Sequence, residues 1–343
     1  MIYINRERSL KSEEWNEILS VLGLCKRLED AKSVVIKPNF AAGSYVDPLK
    51  HCVVDKILLS SVINCIAKTN SRAVIYIAES DSTGNGFAYL KFQHLGIPDT
   101  LDVTNDVLDR VRCLDLTRDR LKIIKEEKMK YFSSDGNSLC LSETLCSADF
   151  VISLCNLKAH SVTGYTGACK NLFGCLPDFD KSHYHPYIHR VIHDLALVIS
   201  PSLSIVDGFY AMEGNGPVHG SDKDAGFRIF SDSAVEADLY GSKSIGLNPN
   251  QVDHIKFLTK TLEIKENVIP AETVQFKRPV FFLRFMNIVG IRIQGFGQLV
   301  AALGHRVHTC YNFLSLCVAL FRPVLVKMFG IEKLKNFKKR ILK

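Results

Sequence analysis

Between His160 and His185 the chain reads HSVTGYTGACKNLFGCLPDFDKSHYH, where glycines, hydroxyls, a lysine and histidines alternate. Gly164, Gly167 and Gly174 let the backbone approach a bound group closely. The hydroxyls of Thr163 and Thr166 and the local backbone N–H groups can hold anionic oxygens. Lys170, with Asn171 beside it, adds positive charge at the centre. The pattern reads as a cradle for a phosphate or carboxylate. It is not the phosphate loop of nucleoside triphosphatases, which needs Gly directly before the lysine and Ser or Thr directly after it. Here Cys169 precedes Lys170 and Asn171 follows, which disfavours that class.

Five of the eleven histidines, His160, His183, His185, His189 and His193, fall within 34 residues. His160 and His185 suit general acid and base work beside the lysine, so the expected catalytic set is His160, Lys170 and His185. His183 and His185 are also placed to ligate a metal. His185, His189 and His193 follow at i, i+4 and i+8, one face of a helix, but no HExxH arrangement accompanies them. His189 and His193 therefore read as a packed or solvated helical face. Downstream, VDGFYAMEGNGPVHG sets Asp207 and Glu213 on a turn with Gly214 and Gly216. Those carboxylates can hold a cation, orient a histidine, take a proton, or simply cap the next element. Asp232 is expected to cap a helix, and Asp238 is left without a role.

These side chains need a frame, and the hydrophobic pattern supplies one. Short β-branched runs at 33–37, 73–79, 149–155, 203–207 and 227–231 predict strands. Helical periodicity predicts helices near 12–27, 51–68, 188–199, 233–246 and 250–262, and residues 111–132 are expected to add strands. The alternation predicts an α/β fold: a mostly parallel sheet with helices on both faces, followed by a basic, apolar C-terminal segment. In open parallel sheets ligands sit beyond the carboxyl ends of the strands. Those ends carry Lys37-Pro38-Asn39, Glu79-Ser80-Asp81, Lys158-Ala159-His160 and Asp207-Gly208. Lys37, Asn39, Glu79, Asp81, Asp207 and Glu213 are thus the expected walls of the site.

The eleven cysteines are scattered and contain no CxxC pair, so free thiols are expected and no iron-sulfur cluster. The opening MIYINRERSLKSEEW has no apolar core of a secretory signal, which predicts a cytoplasmic protein. The net charge of +7 is unevenly spread. Residues 1–276 hold 30 Lys and Arg against 35 Asp and Glu, and residues 277–343 hold 13 against 1. The chain is accordingly divided into an α/β domain, 1–276, and a cationic, apolar tail, 277–343. The apolar run 311–321 in that tail ends at Arg322-Pro323, short of the ~20 residues that a bilayer crossing needs. Such a segment can lie on an anionic membrane surface, where each basic residue adds about 1 kcal/mol. It can equally close over the main domain. No nucleic-acid-binding motif accompanies the charge, so nucleic acid is not an expected partner.

The motifs resemble the family that carries the domain of unknown function 362. The shared elements are Lys37-Pro38-Asn39, Lys158-Ala159-His160, GACKNLFG from Gly167 to Gly174, His185, Asp207-Gly208, MEGNGP from Met212 to Pro217, and Ser231-Asp232-Ser233, spanning about residues 30–250. This resemblance implies a family and no reaction. More distantly, the order of His160, Lys170, Pro177, His183 and His185 is similar to the N-terminal domain of the nickel-pincer lactate racemases. It implies a lysine that holds a nucleotide-derived cofactor and histidines for metal and proton transfer, roles that would fall on Lys170, His185 and His160. The chain departs from that pattern at Glu79-Ser80-Asp81, where the racemases carry a histidine. The sequence thus predicts either an enzyme that grips an anionic substrate or nucleotide-like cofactor and moves a proton or hydride, or a non-catalytic anion-binding scaffold held at a membrane surface.

Overall fold

The computed structural model describes residues 1–40, 51–81, 88–133, 137–218, 220–265 and 269–279. The tail expected at 277–343 lies, beyond residue 279, outside the described residues. In chain order the elements are β1 (Ile2–Asn5), α1 (Ser12–Val21), α2 (Cys25–Glu29), β2 (Ser33–Pro38), α3 (Lys56–Thr69), β3 (Val74–Glu79) and α4 (Ala88–Leu95). Next come α5 (Asn105–Leu108), β4 (Val111–Asp115), β5 (Leu121–Ile124), β6 (Leu139–Ser142), α6 (Glu143–Cys146), β7 (Phe150–His160), β8 (Gly164–Thr166) and α7 (Ala168–Asn171). The remainder is α8 (Ile188–Ile199), β9 (Leu203–Glu213), β10 (Ser221–Lys223), β11 (Arg228–Ser231), α9 (Ala234–Ser244) and α10 (Asp253–Thr261).

The main sheet runs β1-β11-β9-β7-β2-β3-β4, with β8 beside β7 and β10 beside β9. Strands β9, β7, β2, β3 and β4 are parallel to one another, and β1, β11, β8 and β10 pair antiparallel. The parallel strands are apolar on both faces because helices cover both. Alternation along each strand divides its side chains between two cores: Val34 and Ile36 go to one, with Trp15 of α1 and Leu59 of α3, while Val35 goes to the other, with Leu172 and Ile192. From β2 the chain adds β3 and β4 toward one edge, then returns to lay β7 and β9 on the other side of β2. The order reverses between β2 and β7, and the crevice outside their carboxyl ends is where such sheets bind ligands.

Several expectations shift. The helix expected at 12–27 is two, broken at Gly23, whose φ of 67° only glycine adopts cheaply. The helix expected from 51 starts at Lys56, where Asp55 caps it by accepting from the Ile57 N–H. Ser233, not Asp232, caps α9, through a hydrogen bond from the Glu236 N–H to Ser233 Oγ. Pro186 lies inside the short 3-10 turn Ser182–Tyr187, and α8 begins two residues later. Strands β1 and β6 and helix α4 carry too little periodicity to be read from sequence, and β1 forms only as the edge partner of β11. The largest difference concerns β7 and β9, which run on past Cys155 and Asp207 to His160 and Glu213. Polar side chains ended the apolar pattern there, yet Asn156, Lys158 and Asp207 remain buried on strands because other groups take up their hydrogen bonds.

Candidate anion site at the sheet switch point

The end of β2 delivers Lys37, 2% exposed, whose Nζ donates to Glu79 Oε2 of β3 at 3.0 Å and to the Pro38 carbonyl at 2.7 Å. Glu79 also faces Lys91 of α4 at 3.7 Å, and Lys91 donates to the Ser80 carbonyl at 2.8 Å. Lys181 donates to the Asp81 carbonyl and to that of Asp178. From β7, the fully buried Lys158 donates to Asn39 Oδ1 and to the Cys52 carbonyl. Asn39 Nδ2 reaches Asn171 Oδ1 at 3.4 Å, and Asn171 Nδ2 donates to the Lys37 carbonyl at 2.8 Å. Asn39 and Asn171 thereby tie the ends of β2 and β7 to α7.

Lys170 rides on α7, a helix of one turn, and its placement depends on what holds that turn. The fully buried Asp238 of α9 accepts from the Ala168 N–H at 2.6 Å and the Cys169 N–H at 3.0 Å, satisfying orphan donors at the helix start. A Cβ on Gly167 would sit 2.1 Å from Asp238 Oδ1 and 2.5 Å from the Tyr165 hydroxyl oxygen, so only glycine allows this clamp. A Cβ on Gly174 would lie 2.8 Å from Lys37 Nζ, so the GACKNLFG motif is packed directly against the lysines. The Lys170 ammonium lies 4.8 Å from the centre of the Phe173 ring, and no hydrogen bond or ion pair engages it among the described residues. The other four lysines are committed to carbonyls and carboxylates; this one is not.

Crowding shows in the protonation equilibria. Burial, then the charge of Lys37 and of Lys181, brings Lys170 down to about 8. Burial brings Lys158 down to about 7 and Lys181 to about 8, and it lowers Lys91 as well. Lys37, Lys91 and Lys181 thus act on the buried Glu79, while Lys170 feels the charge of Lys37 and Lys181 and Lys158 feels that of Lys170. Desolvation, opposed by the two clamping N–H groups, raises Asp238 to about 7.

His160 ends β7 with Nδ1 accepting from the N–H groups of Val162 at 3.0 Å and Thr163 at 3.2 Å, which leaves its proton on Nε2. Burial and the Lys170 charge hold it neutral, well below the usual imidazole range. His185 stacks on Phe173, centroids 6.2 Å apart, and burial with the same lysine brings it to about 4. His183 is exposed and packs on Tyr184 at 3.9 Å. His193 is buried between Asp194 at 2.7 Å and Thr261 at 2.8 Å, a packed helical face as its spacing predicts. His189 pairs with His254 of α10, Nδ1 to Nδ1 at 3.0 Å. Among the described residues no three His, Cys, Asp or Glu side chains converge as metal ligands, so His183 and His185 have no third partner there.

The switch point therefore unites Lys37, Asn39, Glu79, Asp81, His160, Lys170, Asn171, Gly174 and His185. Gly164, with φ 80°, turns β7 into β8, where Thr163 donates to the Tyr165 carbonyl and Thr166 keeps a buried hydroxyl without a partner. Asp207 is committed elsewhere, to Arg228 at 3.1 Å. Glu213 accepts from the Lys277 N–H at 3.0 Å, and the Gly214 N–H donates to the Lys277 carbonyl, so this turn fastens the 269–279 segment. Gly216 passes so close to the chain that a Cβ would lie 2.0 Å from the Ala159 carbonyl oxygen. Sequence reasoning did not place Lys91, Lys181, Asp238 or His254 here. Lys158 stood in the KxH motif, and that position two residues before His160 was the readable signal; its burial was not.

The model of the Domain of unknown function (DUF362) matches residues 34–243, more than half of the chain and all of the lysine-bearing strands. The chain belongs to the DUF362 family. It is 26% identical over 237 residues to the thylakoid-associated protein sll1697 of Synechocystis sp., covering 66% of this chain and 67% of that one. Among solved structures it is similar to the lactate racemase apoprotein from Thermoanaerobacterium thermosaccharolyticum, at 14% identity and a TM-score of 0.43. That match covers 70% of this chain, which spans 57% of the racemase chain. No helix among the described residues is long and apolar enough to cross a membrane, and all nine cysteines among them are free.

Proposed function

We propose that the crevice between the carboxyl ends of β2 and β7 binds an anion, either a substrate or the phosphate of a nucleotide-like cofactor, and that the protein is an enzyme that moves a proton or hydride there. One observation carries the reading: the Lys170 ammonium, which feels the charge of Lys37 and Lys181, is uncommitted among the described residues. Desolvated cations in excess are relieved by an anion, and a neutral histidine is the form that can accept a proton. Burial and Lys170 hold His185 neutral, which supports a role as acceptor, while His160, its Nδ1 taken by two backbone N–H groups and its proton on Nε2, is set to donate. A nucleotide-like group would be held at its phosphate by Lys170.

Calorimetric titration of the full chain with inorganic phosphate tests this reading. Lys170→Ala is expected to weaken binding at least about tenfold, the loss of one desolvated charge-assisted contact. Equal affinity in the variant would refute it. A second reading, a cytoplasmic, non-catalytic protein held on an anionic membrane, is favoured by the 13 to 1 charge ratio of residues 277–343. The thylakoid-associated relative agrees with membrane attachment. Reversing the charges of Lys338, Lys339 and Arg340 should then release the protein from phosphatidylserine vesicles in co-sedimentation. Retention of the variant on the vesicles would count against the tail.

A further inference from the structure

A cavity of about 580 Å³ lies between the segment that leads into α1, the helices α1 and α3, and the start of β11. Its apolar wall includes Trp15 and Leu58, which belong to the core that holds Val34 and Ile36. Leu172 and Phe173, next to Lys170 in sequence, belong to the core on the opposite face of the sheet, so the two places are separate. Arg228, 2% exposed, lines this cavity. Its Nε–H donates to Asp207 Oδ1 at 3.1 Å, but Nη1 is buried and has no hydrogen-bond partner. Nη2 makes no hydrogen bond among the described residues either, and it is not enclosed. The planar fork of an arginine sets Nη1 on the side away from the Nε–H, so Asp207 does not serve it. A buried donor without an acceptor carries its full desolvation penalty, and in a cavity wall a ligand oxygen would remove that penalty.

Other donors face the same space. The guanidinium carbons of Arg228 and Arg8 lie 5.0 and 5.3 Å from the centre of the Phe209 ring, and Arg8 also lines the cavity. Ser12 Oγ accepts from Lys68 Nζ and Ser61 Oγ accepts from Trp15 Nε1 at 2.9 Å, yet neither hydroxyl donates its own hydrogen among the described residues. Both are therefore free to donate inward. Glu13, Asp55 and Asp102 line the cavity as well, but Asp55 is engaged by the Ile57 N–H as the cap of α3. With Lys11, the cations of the wall outnumber its carboxylates four to three.

We propose that this cavity is a second ligand site, on the face of the sheet opposite Lys170, for an oxyanion carried on a hydroxylated body of monosaccharide size. The Arg228 fork receives the oxyanion, phosphate or carboxylate, with Arg8 and Lys68 adding charge, and Ser12 and Ser61 donate to the body's oxygens. The volume is within the range of small-molecule sites, roughly 300–1,000 Å³, and exceeds what a bare phosphate would fill. Arginine suits this task because its fixed fork matches the oxygens of a carboxylate or phosphate two at a time.

Glucose 6-phosphate and gluconate present the phosphate and the carboxylate on such a body, and glucose presents the body without charge. In calorimetric titration of the full chain at least one of the two anions is expected to bind, and glucose to bind at least about tenfold more weakly. The anion that binds identifies the oxyanion. Arg228→Lys keeps a cation beside Asp207 and removes the fork, and should weaken that anion at least about tenfold. Arg8→Gln, a change at an exposed side chain, should weaken it severalfold. Nitrogen-15 NMR of arginine-labelled unmodified protein needs no variant: the Arg228 Nε and Nη resonances should shift with the anion and not with glucose. In Lys170→Ala the same resonances should shift at the same anion concentrations. Arg228 resonances that do not respond, glucose that binds as tightly as the anions, or affinities that persist in both arginine variants would each overturn the proposal. Binding that Lys170→Ala abolishes would assign the anion to the other crevice and overturn it as well. Binding of neither anion would overturn it while leaving the Lys170 crevice to its own phosphate titration.

Discussion

A cluster of buried lysines makes folding stability rise with pH between about 7 and 10.5, well above the window in which ordinary carboxylates do so. In the folded chain Lys158 titrates at about 7 and Lys170 and Lys181 at about 8, against 10.5 for an unperturbed lysine. Below 7 both folded and unfolded states hold these protons, and the fold bears the full cost of the buried charges. Between 7 and 10.5 the folded state has released protons that the unfolded state keeps, so stability rises with pH, by up to about 1.4 kcal/mol per pH unit for each lysine. From pH 7.0 to 8.5 the three lysines together contribute about 3 kcal/mol. Opposing groups reduce this. Asp238, raised to about 7, has lost most of its contribution between 3.8 and 7 and takes away about 0.4 kcal/mol more. Cys65, Cys155, Cys169 and Cys175, all raised by burial, begin to favour the unfolded state as its thiols ionise toward pH 9. The expected net gain is about 2 kcal/mol, measured by urea denaturation in a chloride-only cationic buffer. Sulfate, whose charge is constant across this window, should stabilise more at pH 7.0 than at 8.5, because the bound anion keeps the lysines charged. Stability that is flat or falls from 7.0 to 8.5 without added anion, or sulfate stabilisation that grows with pH, would refute the argument.

Two substitutions probe the scaffold around the cluster. Gly167→Ala would force α7 away from Asp238 and Tyr165, both buried, and is expected to cost about 1–3 kcal/mol in urea denaturation while weakening phosphate binding, since Lys170 moves with α7. Lys37→Met leaves the buried Glu79 with the Ser80 N–H and the more distant Lys91, a broken buried pair worth roughly 3–5 kcal/mol, and adding Glu79→Gln should recover much of that loss. A Lys37→Met chain as stable as the parent would show that Lys91 alone satisfies Glu79.

The parallel α/β architecture was legible because each central strand is a short β-branched run whose alternating residues feed two cores, and because the amphipathic periods of α3, α8 and α10 lie between them. The site's address was legible for a related reason. Lys37-Pro38-Asn39 and GACKNLFG are local strings, and the rule that ligands sit at carboxyl ends makes them neighbours once the strands are assigned. The ends of β7 and β9 were not legible. Polarity at Asn156, Lys158 and Asp207 imitates a loop, and what keeps them on strands is Tyr210, Cys52 and Arg228, contacts that depend on distant chain. Lys91 and Lys181 looked like ordinary surface lysines for the same reason, and only tertiary structure brings them to Glu79 and Asp81.

The contrast between Lys170 and its neighbours indicates which part of the cluster is architecture. Lys37, Lys91, Lys158 and Lys181 each donate to a carbonyl at a strand or loop end, an arrangement that fastens β2, β3, β7 and the loop after α7 to one another. Their charges are the electrostatic consequence of using lysine as a strut, and they set a positive potential that a carboxamide strut would not. Lys170 stands in that potential on a one-turn helix clamped by Asp238, held in place by its backbone rather than by its ammonium. Holding the helix by its N–H groups instead keeps the ammonium available while fixing where it stands, which is the arrangement an anion site requires.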